Sequence, residues 1–139
     1  MTRFGIDAPT LLHLADAGLD VAPQHRLVAP NAVRGDALEL LLQDVRAGRS
    51  TEAAALELHE RLTGIKVRLL GDRVSRRTAW RIARDHQWDT LRQAEYLAVA
   101  RLQADALVTV DPEMAALAQG VVPVARLVDL LAAPVVRES

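Results

Sequence analysis

Two aspartates follow short apolar segments that have the composition of buried strands. Asp7 comes directly after residues 3–6, and Asp111 comes directly after residues 106–110. Each is followed within two residues by a proline, which fits the first turn of a helix. Because parallel strands end at one edge of a sheet, where ligands bind in open α/β folds, we expect both carboxylates at that edge. Aspartate is also a common helix N-cap, and either residue can serve both roles.

Helical periodicity indicates a third carboxylate. A helix predicted to open at Pro30 and to end near Arg46 has one apolar face, with Asp36 on its rim and Glu39 pointing away. An acid beside an apolar face requires a partner or a metal ion, because an unpaired buried charge is unfavourable. We therefore expect Asp36 to face the sheet edge and Glu39 to face solvent.

A second predicted helix, residues 90–103, adds two weaker candidates. Gln93 lies at the centre of the face that also carries Tyr96, whereas Glu95 points elsewhere. Asp89 falls one turn before Gln93 on the same side, although it can instead cap the helix together with Thr90.

Carboxylates that crowd at one edge ionise together only if a cation lies among them. Oxygen ligands, in a sequence with no cysteine and no histidine pair at metal-binding spacing, suit Mg²⁺ or Mn²⁺. Such ions act in phosphoryl chemistry, where they lower the pKa of a bound water and stabilise charge on the phosphate. The pattern favours a metal site built from Asp7, Asp36 and Asp111.

Short apolar segments alternate with helical segments along the chain. Strands are predicted at residues 3–6, 25–29, 65–70, 106–110 and 121–124, and helices at 8–17, 30–46, 50–63, 73–86, 90–103, 112–118 and 126–132. This alternation predicts an α/β fold with a mostly parallel central sheet. Residues 1–133 are interpreted as a single domain and residues 134–139 as a loose C-terminal tail.

Composition limits the classes of protein that fit. The chain has 139 residues, a formal net charge of −1 and no cysteine. The charge argues against a uniformly basic nucleic-acid-binding coat or a polybasic membrane anchor. The absence of cysteine agrees with a reducing cytosol, and no apolar run of about 18 residues predicts a transmembrane helix. We expect a cytoplasmic protein without membrane association.

The helix predicted at residues 73–86 has a local basic face. The side chains on that face are Arg73, Arg77, Arg81 and Arg84. If the face flanks the acidic edge, its arginines can neutralise the phosphates of a nucleic acid and steer the substrate. The alternative is an ordinary solvated face. We expect both tryptophans, Trp80 and Trp88, in the core or at a dimer interface.

The order and spacing of these motifs resemble the PIN domain, specifically the small VapC-like toxins of bacterial toxin–antitoxin systems. The resemblance covers nearly the whole chain and rests on Ile6-Asp7, Asp36 in the helix after Pro30, and residues 94–100 and 107–111. It implies a three-layer α/β/α sandwich and a Mg²⁺- or Mn²⁺-dependent endoribonuclease with Asp7, Asp36 and Asp111 as its acids. It also implies a homodimer that a cognate antitoxin silences. Asp36 stands where the family usually has glutamate, and Gln93 where it usually has aspartate. The resemblance thus implies Gln93 as a neutral ligand through its carbonyl oxygen, with Asp89 as the preferred residue to supply the missing charge.

Two other functions stay open. The first is a catalytically degenerate PIN-like protein that binds RNA or a protein partner without cleaving, which the neutral Gln93 favours. The second is a receiver-type signalling domain, which also gathers aspartates at the ends of parallel strands. A receiver needs a lysine near the end of a late strand, and the only lysine of the chain is Lys66.

Overall fold

The computed structural model describes residues 1–132, which form five strands and seven helices. In chain order these are β1 (Thr2–Ile6), α1 (Ala8–Ala17), β2 (His25–Pro30), α2 (Val33–Arg46), α3 (Glu52–Thr63), β3 (Arg68–Leu70), α4 (Arg73–Asp85), α5 (Arg92–Gln103), β4 (Ala106–Val108), α6 (Pro112–Ala118), β5 (Val124–Ala125) and α7 (Leu127–Leu130). The predicted C-terminal tail, residues 134–139, lies outside the described residues. No helix within residues 1–132 has the length and apolar character needed to cross a bilayer.

All five strands are parallel and form one sheet in the order β3-β2-β1-β4-β5. The central strand is β1, in which Phe4 pairs with Leu27 of β2 and with Ala106 of β4. The chain leaves β1 toward β2 but leaves β4 toward β5, so the topological switch point lies between β1 and β4. Ligand sites of open α/β sheets occur at the carboxyl ends of the strands at such a point.

Helices cover both faces of the sheet. On one face α5 packs against β1, β2 and β4, and α4 packs on α5, while α1, α2 and α3 pack together on the other. A Cβ atom added to Gly5 would lie 2.9 Å from the Cβ of Ala100, so glycine permits the close approach of α5 to β1. The neighbours Phe4 and Ile6 are buried against the opposite layer. The fold is the expected three-layer α/β/α sandwich.

Glycine and capping residues place most element ends where the sequence predicts them, but Pro30 is an exception. α1 ends at Gly18, whose φ of 63° lies in the left-handed region. Pro30 is the last residue of β2, and the helix begins only at Val33, so the prediction of a helix opening at Pro30 was wrong. The sheet contacts continue past the proline through a hydrogen bond from the Asn31 amide to the Leu70 carbonyl, 2.9 Å long.

Three strands differ by more than one residue from their predicted ranges. β3 and β4 are shorter than predicted, so Thr109 and Val110 follow the end of β4. β5 begins at Val124, where the prediction has its last residue. The segment between β4 and α6 contains Thr109, whose side chain is part of the candidate site.

Candidate functional site

Asp7 is a buried aspartate between β1 and α1, with an exposed fraction of only 1%. One carboxylate oxygen, Oδ1, accepts hydrogen bonds from the backbone amide of Thr10, at 3.1 Å, and from the hydroxyl of Thr10. Asp7 is therefore the N-cap of α1. The other oxygen, Oδ2, accepts a 2.6 Å hydrogen bond from the hydroxyl of Thr109. Asp7 therefore both caps α1 and lies at the carboxyl edge of the sheet.

Two threonines join the end of β1 to the end of β4. The hydroxyl of Thr109 donates to Asp7 and accepts from the backbone amide of Asp111, at 3.0 Å. The hydroxyl of Thr10 accepts from the amide of Val110, at 3.1 Å. Asp111 itself caps α6, with Oδ1 accepting from the Glu113 amide at 3.0 Å. One hydroxyl group thus separates the Asp7 carboxylate from the Asp111 backbone.

Asp36 joins this edge through Tyr96. The half-buried Asp36 lies in the first turn of α2, and its Oδ2 accepts a 2.6 Å hydrogen bond from the hydroxyl of Tyr96 on α5. Burial raises the pKa of Tyr96 well above its usual value, and the Asp36, Asp7 and Glu95 carboxylates raise it further. Tyr96 therefore stays neutral and acts as a donor, which fixes the orientation of Asp36.

The charges at this edge affect one another. Burial raises the pKa of Asp7, the hydrogen bonds from Thr10 and Thr109 lower it, and the Asp111 carboxylate adds a smaller upward shift. Asp7 is thus within electrostatic range of Asp111, and Tyr96 is within range of Asp7 and Asp36. Asp7 and Asp111 therefore interact directly, whereas Asp36 is connected to Asp7 only through Tyr96.

Gln93 and Asp89 are less closely tied to this edge. Gln93 is half-buried near the start of α5, one turn before Tyr96, and Asp89 is exposed in the α4–α5 connection. Within residues 1–132, no hydrogen bond links either side chain to the three acids. At the start of α5 the hydroxyl of Thr90 accepts a 3.2 Å hydrogen bond from the Arg92 amide, whereas Asp89 makes no such bond among the described residues, so the predicted cap is present at Thr90 but not at Asp89. Glu39 is exposed as expected and lies 3.3 Å from Arg92.

The metal that the sequence implies can be tested against the donors at this edge. Residues 1–132 contain no group of three or more acid, histidine or cysteine side chains arranged to hold a metal ion. Asp36 and Asp111 each use only one carboxylate oxygen in hydrogen bonds to described residues. Mg²⁺ usually keeps several waters and takes one or two carboxylates plus substrate phosphates. The donors fit a site of that kind, completed by a substrate phosphate, and do not fit a closed protein cage.

The basic face predicted on α4 is present and exposed. α4 contains five arginines and one aspartate, and the four predicted arginines Arg73, Arg77, Arg81 and Arg84 are all exposed. Trp80 is 62% exposed on the same helix and is therefore not a core residue, while its predicted place at a dimer interface stays a prediction. Trp88 is partly buried against the core and lies 5.0 Å from His86, measured between ring centroids.

Thr10, Thr109 and Tyr96 are the residues of this edge to which the sequence assigned no part in the chemistry. Thr10 stands three residues after the cap Asp7, a spacing that predicts a capping contact. The role of Thr109 depends on β4 lying beside β1, and that of Tyr96 depends on α5 meeting α2. Both contacts span long sequence separations, and no local pattern identifies them.

Comparison with known proteins supports the fold and identifies no activity. No protein-family model matches the chain, and no curated protein matches it. Among solved structures, the chain is similar to the crystal structure of PAE2754 from Pyrobaculum aerophilum. The TM-score is 0.65 and the sequence identity 24%, over 93% of this chain and 92% of that chain. A likeness at this identity shows the fold alone.

Proposed function

We propose that the protein is a Mg²⁺- or Mn²⁺-dependent endoribonuclease of the PIN-domain type, acting as the toxin of a toxin–antitoxin pair. The observation that carries the proposal is the link between Asp7 and the Asp111 segment through Thr109, at the switch point between β1 and β4. Asp36 joins the same neighbourhood through Tyr96. An RNA substrate and an antitoxin both imply a cytoplasmic location.

The three acids share one part in this proposal, and the polar residues around them have others. Asp7, Asp36 and Asp111 would hold the ion, with the carbonyl oxygen of Gln93 as a neutral ligand or a substrate contact. When bound, the ion supplies an activated water and stabilises charge on the phosphate during phosphodiester hydrolysis. Tyr96 keeps Asp36 in one orientation, and Thr109 fixes Asp7 relative to Asp111. A buried Asp7 with a raised pKa gains most from a nearby cation, because the cation favours the ionised form.

The basic face of α4 supports RNA as the substrate. α4 packs on α5, the helix that carries Gln93 and Tyr96, so its arginines flank the layer that forms one wall of the acidic edge. Exposed arginines neutralise phosphates, and an exposed tryptophan such as Trp80 offers a ring on which an unpaired base can stack. Single-stranded RNA satisfies both features.

An apolar groove between α2 and α3 supports a protein partner. The groove has a volume of about 550 Å³, and its lining includes the exposed side chains of Leu38, Leu42 and Leu56. Exposed leucines that line one concave surface are typical of protein interaction sites. An antitoxin segment or a second copy of the chain would bury them.

Cleavage of single-stranded RNA tests the proposal. Purified protein is expected to cleave with Mn²⁺ or Mg²⁺ and to stop in EDTA, and Asp111→Asn is expected to abolish cleavage. Asp16→Asn, which makes the same change at an exposed position of α1, is the matched control and keeps full activity. Cleavage that persists in Asp111→Asn, or in EDTA, would contradict the proposal.

The absence of a three-acid group within residues 1–132 favours a second candidate function. In this alternative the protein keeps the PIN-like fold and binds RNA or a partner without cleaving, because Gln93 contributes no charge. Calorimetry decides between the two. No heat of Mn²⁺ binding at millimolar metal, together with binding of uncleaved RNA, supports the non-catalytic protein, whereas Mn²⁺ binding with cleavage excludes it.

A further inference from the structure

A cavity lies at the edge of the sheet opposite to the three acids, near the amino ends of β1, β2 and β3. Its volume is about 750 Å³, within the range of small-molecule sites. Its lining includes four cationic side chains and one carboxylate, namely Arg3, Arg26, Lys66, Arg68 and Asp20. Arg3 and Asp7 are separated by about 13 Å of extended chain, so this cavity is distinct from the acidic edge.

The strand register places three of these cations on one face of the sheet. Arg3 of β1 pairs with Arg26 of β2, and Val28, two residues further along β2, pairs with Arg68 of β3. Side chains of paired residues in parallel strands, and of residues two apart on one strand, share a face. Like charges on neighbouring strands repel each other. Within residues 1–132 none of the four cations forms an ion pair, so a bound anion would relieve this repulsion.

Besides the cations, the cavity has a histidine and several apolar side chains, so a ligand can contact both charged and apolar groups. The Nη1 atom of Arg26 donates to the carbonyls of Pro23 and His25, at 2.8 and 3.1 Å, which orients its guanidinium group. His25 lines the cavity from the other face of the sheet, where its ring lies 5.0 Å from that of Phe4 between centroids, and its buried Nδ1 has no hydrogen-bond partner within the described residues. The apolar part of the lining includes Leu19, Val21 and Ile65.

We propose that this cavity binds a small phosphorylated molecule with an apolar moiety, of the nucleoside phosphate class. Guanidinium groups bind phosphate oxygens in a bidentate manner, and several together match the multiple charges of a di- or triphosphate. The apolar lining accommodates the base. The site needs neither the acidic edge nor a divalent metal, so it is independent of the proposed ribonuclease activity.

Calorimetry in EDTA at low salt, with ADP and inorganic pyrophosphate as probes and no RNA present, tests the proposal. Wild-type protein is expected to bind ADP with one site per chain, and Arg26→Ala/Arg68→Ala is expected to bind about tenfold or more weakly. The matched control is Arg46→Ala/Arg61→Ala, which removes the same charge from exposed positions of α2 and α3 and binds as wild type does. Thermal melting establishes that both double variants are folded.

The two probes separate the charge from the apolar part of the ligand. Tighter binding of ADP than of pyrophosphate supports a nucleoside phosphate, whereas equal binding would reject the apolar moiety. Absence of binding by either probe to wild-type protein, or equal weakening in the two double variants, would overturn the proposal. Because neither RNA nor metal is present, failure here is distinguishable from failure of the ribonuclease proposal.

Discussion

Asp7 is held by hydroxyl and amide groups in a position from which solvent is almost excluded. Its three donors stabilise the carboxylate, but burial outweighs them and raises its pKa. The protonated form is therefore favoured in the folded protein relative to the unfolded chain. Such a residue destabilises the fold at neutral pH, which is consistent with selection for a function in place of stability.

The pH dependence of Asp7→Asn follows from this shift. Asparagine imitates the protonated acid and caps a helix as well as aspartate does. Between the ordinary aspartate pKa and the raised one, the folded wild type binds more protons than the unfolded chain, so its stability increases as pH falls. The melting temperature of wild type relative to Asp7→Asn is expected to rise on acidification through this window and to be lowest above it. Parallel melting curves across the window would contradict the assignment.

Gln93→Asp is expected to strengthen metal binding. A carboxylate one turn before Tyr96 adds a negative charge on the helix that contacts Asp36. Calorimetry with Mn²⁺ should show about a tenfold increase in affinity, equivalent to roughly 1.4 kcal/mol. Gln103→Asp, at the other end of α5 and equally half-buried, is the control that should show no gain. An equal gain in both variants would reject the role given to position 93.

At the scale of single residues, the sequence predicts the chemistry of the side chains better than it predicts the contacts between them. Asp7 and Asp111 are predicted because each follows an apolar strand, and Asp36 because it borders an apolar helix face. The bond from Thr109 to Asp7 spans 102 residues, and that from Tyr96 to Asp36 spans 60. Such contacts depend on which strand lies beside β1, and no local periodicity carries that information.

Among the elements, β1 and α5 form the contact that positions the acidic edge. Gly5 lets α5 approach the sheet, and α5 carries Tyr96 to Asp36. Glycine and proline mark most element ends correctly because their backbone preferences are local. Pro30 misled the prediction because proline is tolerated both at the start of a helix and at the end of a strand. Only the pairing of β2 with β3 shows that Pro30 belongs to a strand and does not begin a helix.

Gly5→Ala tests the contact between these elements. The added Cβ would lie 2.9 Å from Ala100 Cβ and 3.3 Å from Ala100 Cα, so α5 must shift away from β1. Overpacking of this kind lowers the free energy of unfolding by about 1–3 kcal/mol, measurable by urea denaturation. Gly35→Ala is the matched control, since its Cβ would meet open space within α2, and a gain of about 0.5–1 kcal/mol is expected. A loss at Gly35, or none at Gly5, would contradict the packing described.

Across the whole molecule, charge is separated by region. The chain has a net charge of −1, yet α4 alone carries five arginines and one aspartate. The carboxyl edge of the sheet is acidic, and the amino edge has a cationic cavity. Net charge by itself therefore hides the surfaces to which an anionic polymer can bind.

RNA binding by α4 is expected to depend on salt and on Trp80. In EDTA, Arg77→Gln/Arg81→Gln should reduce the slope of log affinity against log salt by about 0.7 for each phosphate that the variant no longer neutralises. Anisotropy of a labelled single-stranded RNA measures the slope, with Arg46→Gln/Arg61→Gln as control.

In Trp88→Phe, Trp80 is the only tryptophan, and single-stranded RNA but not duplex should quench its fluorescence. An unchanged slope and unchanged fluorescence would remove α4 from the substrate path.

The position of β4 in the sheet also determines when the acidic edge can form during synthesis of the chain. β1 can pair with β2 early in synthesis, but its other edge has no partner until residues 106–108 have been made. Until then Thr109 cannot donate to Asp7, and the acidic edge does not exist. A growing chain is therefore without this site until residue 111 has left the ribosome. For a protein proposed to cut RNA, this sequence of events protects the messenger and the ribosome that are producing it.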